Sequence, residues 1–131
     1  MGEPIRKAID KEEIDKKLKR IQAEIKRLNS IYSNIEERHK KLIEGLIQRA
    51  AYMRITLDIY EIDLDEFGYV ELFSQSQNTE PYDRERPVAR LYNAMNKNYQ
   101  SIIKQLTDLL PKDAPKQESD GFNDFVSSRE D

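Results

Sequence analysis

The basic side chains near the start of the chain have the clearest potential for chemistry. Helical spacing places five of them on one face: Lys16, Lys19, Arg20, Lys26 and Arg27. Such a stripe can neutralise nucleic-acid phosphates, with an affinity that falls as the salt concentration rises. Carboxylates at Glu12, Glu13 and Glu24 dilute the positive field, and no aromatic side chain lies among these residues to stack on a base. A phosphate-binding surface and an ordinary solvated helix face therefore fit the stripe equally well.

A second basic group surrounds the start of the last predicted helix and consists of Arg84, Arg86, Arg90 and Lys97. Its three arginines are also candidate DNA-binding residues, because a guanidinium can hold a phosphate through two hydrogen bonds. Acidic residues of the same segment offer another set of partners, at Glu80, Asp83 and Glu85. We favour internal ion pairs over phosphate contacts for this group.

The acidic end of the chain contains a candidate binding motif for another protein. Phe122, Phe125 and Val126 are spaced so that a helix formed on binding would place all three on one face. Residues 111–131 carry 3 basic and 6 acidic side chains, so a basic groove would complement them. A solubilising tail is an equally good interpretation. Prolines and charges predict that this segment is disordered when alone.

Groups suited to catalysis are scarce. The chain has one histidine, no cysteine and only four glycines, and it lacks a glycine-rich phosphate loop. His39 falls on an apolar helix face, where packing is the favoured role, and the acidic residues between Asp58 and Glu66 do not follow the spacing of an ion-binding loop. We expect no enzymatic activity, metal, cofactor or small-molecule substrate. The lack of cysteine, of a signal peptide and of an apolar run of about 18 residues favours a reducing cytoplasm without membrane contact.

The element that must carry the basic stripe is a helix with an apolar seam. Steps of four and three residues connect Ile14, Leu18, Ile21, Ile25, Leu28, Tyr32, Ile35, His39, Leu42 and Leu46. Asp10 with Glu13, and Ser33 with Glu36, resemble N-terminal caps, so we favour two helices at about 10–29 and 34–67. The unbroken phase of the seam favours one continuous helix instead. The seam itself indicates packing within the protomer and between protomers.

The later elements also read as helical. Two adjacent apolar stripes after Leu46 predict a central helix covered by more than one neighbour, and Gly68 ends it as a left-handed cap. Residues 69–73 predict a short extended segment, too small to build a sheet by itself, and 74–86 a polar loop. Pro87 suits the first turn of a third helix that runs to 110. The expected fold is all-α, with a basic N-terminal helix (1–33), a helical core and oligomerisation domain (34–110) and a flexible acidic tail (111–131).

Several segments resemble the small terminase subunits of tailed phages that infect Gram-positive bacteria. They are 46–53 (LIQRAAYM), 68–71 (GYVE), 97–106 (KNYQSIIKQL), 108–111 (DLLP) and the tail segment 122–126 (FNDFV). Their order and spacing match over roughly residues 35–131, whereas residues 1–34 show no such match.

The resemblance implies a non-enzymatic role in packaging viral DNA. Small terminase subunits form homo-oligomeric rings, bind double-stranded DNA at the packaging site and modulate the large subunit, which holds the ATPase and nuclease. By this resemblance, Phe122, Phe125 and Val126 would bind the large subunit, and the protein would act in the cytoplasm of the infected host. The alternative is a coiled-coil structural or assembly adaptor that binds only protein.

Overall fold

The computed structural model describes residues 9–110, and three helices dominate this part of the chain. The elements are α1 (Lys11–Ile31), α2 (Glu37–Phe67), β1 (Val70–Phe73), β2 (Tyr82–Glu85) and α3 (Pro87–Asp108). The all-α class, the long central helix and the third helix packed against it are confirmed. The predicted tail at 111–131 lies outside the described residues.

The predicted break between the first two helices is observed, although only one of the two predicted caps is correct. The Asp10 carboxylate accepts a hydrogen bond from the Glu12 backbone N–H at 3.1 Å, as expected of an N-cap. Ser33 lies in the turn, and Glu36 precedes α2 without a side-chain capping bond. Instead, Tyr32 and Ile35 are both buried in the turn and anchor it to the core. The seam therefore keeps its phase through a turn, which explains why periodicity alone favoured a continuous helix.

Helix α2 lies between α1 and α3 and packs against both, as its two apolar stripes predict. Ala50 and Ala51 are completely buried, and such small side chains allow close approach of neighbouring backbones. Ile47 and Leu106 are the largest fully buried side chains, which links α3 to the same core. The start of the seam is less buried than the rest, and Ile14 and Leu18 are exposed in the protomer.

The segment after α2 contains the predicted extended segment, as β1, but the end of the predicted loop at 74–86 forms a second strand. Residues 82–85 form a strand antiparallel to β1, with Val70 opposite Glu85 and Leu72 opposite Asp83. The charged sequence of β2 carries little strand propensity, so its pairing was not predicted. Gly68 ends α2 as expected: its N–H donates to the Leu64 carbonyl at 2.8 Å, and its φ of 82° is the region that favours glycine. Its ψ of −179° directs the chain into the hairpin rather than into a left-handed helical turn.

Candidate nucleic-acid interface

The outward face of α1 brings the predicted basic stripe together. At about 100° per residue, the five basic side chains fall within an arc of roughly 120°. Ile21 and Leu28 are buried on the opposite side, and the five basic residues are all exposed. Within the described chain, Lys16, Lys19 and Lys26 form no ion pair, so their ammonium groups are available to a partner.

Acidic residues on this side of α1 are concentrated at the start of the helix, where Glu12 and Asp15 are exposed four residues before Lys16 and Lys19. From Lys16 to Ile31 the helix contains one carboxylate, Glu24, and that residue is only 9% exposed. Glu12 and Glu13 lie in the first turn, where carboxylates favour the helix dipole. Glu24 therefore reduces the positive charge of the outer surface less than expected, because its carboxylate points away from that surface.

The two arginines of the stripe, Arg20 and Arg27, also form ion pairs within the protomer. Arg20 Nη2 lies 3.0 Å from the Asp58 carboxylate on α2, and Arg27 donates two hydrogen bonds to Glu24 at 2.8 and 2.7 Å. These hydrogen bonds lower the pKa of Glu24, against the opposite effect of burial, and raise the pKa of Arg27. About half of each arginine side chain stays exposed, so both still contribute positive potential. Lys16, Lys19 and Lys26 are therefore the members of the stripe whose charge has no ion-pair partner within residues 9–110.

Glu24 belongs to a polar junction of the three helices that sequence reasoning missed. The positive charge of Arg54 on α2, like that of Arg27, lowers the pKa of the Glu24 carboxylate. The proximity of Tyr99 on α3 and of the Glu24 and Asp58 carboxylates raises the pKa of the Arg54 guanidinium. The available signal was the position of Glu24 between Ile21 and Leu28, three and four residues away on the inner face. That spacing indicates a buried carboxylate, which needs a charged partner.

The three arginines of the second basic group form ion pairs within or beside the hairpin. Arg84 Nε contacts the Glu71 carboxylate at 2.7 Å, and Arg90 Nε lies 3.5 Å from Glu85. The Arg84 guanidinium also lies over the Phe73 ring, 3.5 Å from its centroid. The internal pairing that we favoured is observed, although Arg84 pairs with the opposite strand rather than with an acidic residue of the loop. Lys97 is exposed and forms no ion pair within residues 9–110.

Arg86 is the most buried arginine of this group and joins three parts of the fold. Its Nη1 donates to the Gly68 carbonyl at 2.7 Å, and its Nη2 forms a close ion pair with Asp63 Oδ1, also at 2.7 Å. The guanidinium carbon lies 5.5 Å from the centroid of the Phe67 ring. With only 17% of its side chain exposed, Arg86 fixes the exit of α2 to the start of α3. It has little surface left for a phosphate.

The remaining predictions concern His39, a possible metal site and the C-terminal motif. His39 is half-buried near the start of α2, as a packing residue would be. Residues 9–110 contain no group of three or more potential metal ligands, and none of their helices combines the length and apolar character needed to cross a membrane. The candidate partner-binding residues Phe122, Phe125 and Val126 lie outside the described residues.

Geometry thus separates the predicted DNA-binding residues into two sets. The α1 residues present an outward face, whereas Arg84 and Arg86 are held in short ion pairs at the hairpin. Arg90 on α3 forms only a long pair with Glu85, and its side chain is 84% exposed. No family model, curated protein or solved structure matches this chain.

Proposed function

We propose that this chain is a small terminase subunit: a non-catalytic homo-oligomer that binds double-stranded viral DNA at the packaging site. It then recruits and regulates the large terminase subunit in the cytoplasm of the infected bacterium. The resemblance of residues 46–53, 68–71 and 97–111 supports the family. The observation that carries DNA binding is the face of α1, where Lys16, Lys19 and Lys26 are exposed and unpaired and the one carboxylate within residues 16–31 is buried.

The physical basis of binding would be release of counterions from DNA. Three free lysines provide three phosphate contacts per protomer, with partial contributions from Arg20 and Arg27. Each neutralised phosphate contributes about −0.9 to the slope of log affinity against log salt concentration. A homo-oligomer repeats this modest face, so several weak contacts act on one duplex and their effective affinity multiplies.

Removing the three free charges tests this proposal. The variant Lys16→Gln/Lys19→Gln/Lys26→Gln should weaken binding of a 30-base-pair duplex and reduce the salt slope by about 2.7 per engaged protomer. The matched control is Lys40→Gln/Lys41→Gln/Lys104→Gln, which removes three charges elsewhere and should leave the slope nearly unchanged. Fluorescence anisotropy at several salt concentrations measures both. Equal slopes for the two variants would remove α1 as the DNA-binding surface.

The second candidate function is an assembly adaptor that binds only protein. It is favoured by the start of the seam, where Ile14 and Leu18 are 41% and 51% exposed and so remain available for another helix. An adaptor of this kind would show no salt-dependent DNA binding in the titration above. Its self-association would instead be lost when Leu18 is replaced by Glu.

A further inference from the structure

The hairpin presents an outward face that the protomer leaves uncovered. Side chains opposite each other in an antiparallel pair share one face, so Val70, Leu72, Asp83 and Glu85 lie together. Val70 is 55% exposed and Leu72 is 74% exposed. The other face holds the Arg84–Glu71 ion pair and the edge-to-face contact of Phe73 with Tyr82. The outward face therefore combines two exposed apolar side chains with two carboxylates, and we call it the hairpin knob.

A complementary surface lies on the middle of α2. An open cleft of about 390 Å³ is lined by Gln48, Arg49, Tyr52, Met53 and Met95. None of these residues is acidic, and the Lys17 ammonium lies 4.4 Å from the centroid of the Tyr52 ring. Methionine side chains adapt readily to the shape of an apolar partner. We call this surface the methionine cleft.

We propose that the hairpin knob of one copy of this chain docks into the methionine cleft of a second copy. A cavity of about 150 Å³ already accommodates a benzene-sized group, so the cleft has room for the Leu72 side chain. Asp83 and Glu85 would then approach Arg49 and Lys17, which gives the contact its charge complementarity. Asp83 and Arg49 form no ion pair within residues 9–110, so both are available for this contact.

The hairpin cannot reach the methionine cleft of its own chain. Met53 precedes Gly68 by 15 residues, which corresponds to about 22 Å along α2. Leu72 follows Gly68 by four residues, or about 13 Å of extended chain. A hairpin knob docked in the methionine cleft must therefore come from another copy. Because knob and cleft are different surfaces, the contact is head-to-tail and generates a ring if the rotation closes, or a filament if it does not.

This inference rests on the proposed function in requiring self-association, but it does not depend on DNA binding. The first test is Leu72→Glu in the full chain, with molar mass measured by light scattering after size exclusion. The variant should lose the wild-type oligomer, because it removes the apolar contact of Leu72 with Met53 and Met95 and puts a hydrated carboxylate in its place. Ile31→Glu is the matched control, since Ile31 is 48% exposed at the end of α1 and belongs neither to the two surfaces nor to the apolar seam. Unchanged helical circular dichroism would show that both variants are folded.

A charge exchange provides the second test. Asp83→Lys alone and Arg49→Glu alone should each weaken self-association about tenfold, and the double variant should restore it. Glu80→Lys with Lys104→Glu is the matched pair at sites outside the contact. An oligomer of wild-type mass for Leu72→Glu, or a double variant no better than the singles, would overturn the docking contact. A wild-type chain that stays monomeric would also overturn it, whereas the salt titration of α1 tests DNA binding separately.

Discussion

At the scale of single residues, the most informative side chain is Glu24. It is one carboxylate among six basic residues in the segment 16–31, and it is turned inward against Arg27. A buried carboxylate is tolerated only when a charged or hydrogen-bonding partner compensates for lost hydration. The same inward orientation leaves residues 16–31 of α1 without an exposed acidic residue. One residue thus contributes both to the packing of the three helices and to the charge of the candidate DNA-binding surface.

Glu24→Gln should therefore destabilise the protein, by about 1–2 kcal/mol at neutral pH, because a charged hydrogen bond is weakened. The pKa of Glu24 is lowered on folding. Its contribution is consequently present above the unfolded pKa, about 4.3, and is lost as the pH falls through the lower folded value. Urea unfolding at pH 7 and pH 3 measures this, and the difference between variant and wild type should shrink at pH 3. The control is Glu44→Gln, at an exposed position without an ion pair; a similar loss for both variants would contradict the role given to Glu24.

At the scale of elements, sequence periodicity predicted the helices and their order because side-chain spacing directly reflects which face is buried. Pro87 and Gly68 marked two helix ends through backbone properties that depend on one residue alone. The hairpin was different: β2 is held by contacts between residues far apart in sequence, such as Arg84 with Glu71. Contacts between distant residues were likewise not predicted for the candidate site. The spacing of Lys16, Lys19 and Lys26 predicted a common face, but nothing local identified Asp58 as the partner of Arg20.

The attachment of the hairpin to α2 should depend on the forked shape of the Arg86 side chain. Arg86 reaches the Gly68 carbonyl and the Asp63 carboxylate with different nitrogens, which a lysine ammonium cannot reproduce in the same geometry. Arg86→Lys should lower the free energy of unfolding by about 1–3 kcal/mol. It should also accelerate hydrogen exchange of the backbone amides in residues 69–86. Arg90→Lys is the matched control, because that ion pair is long and exposed. Equal exchange in the two variants would show that Arg86 does not anchor the hairpin.

At the scale of the whole molecule, charge is separated between surfaces. Residues 16–31 carry six basic side chains and one acidic side chain, whereas residues 52–67 of α2 carry one basic and five acidic side chains. A polyanion is therefore attracted to α1 and repelled from the acidic half of α2. Self-association through the hairpin would involve Lys17 of α1 but would leave the basic stripe available, because neither the hairpin knob nor the methionine cleft includes Lys16, Lys19 or Lys26. The proposed DNA contact and the proposed contact between copies are compatible on one protomer.

A third surface would be needed for the large terminase subunit, and the acidic C-terminal segment is the candidate. Deletion of residues 119–131 should leave the oligomer mass and DNA binding unchanged, because both are assigned to surfaces within residues 9–110. The same deletion should abolish capture of the purified large subunit in a biolayer interferometry experiment. Phe122→Ala/Phe125→Ala should reproduce the loss, since it removes two apolar contacts but no charge, and Ser127→Ala/Ser128→Ala should not. Full capture by the truncated chain would place the large-subunit contact on the helical core; loss of capture with an intact oligomer would assign assembly and recruitment to separate segments.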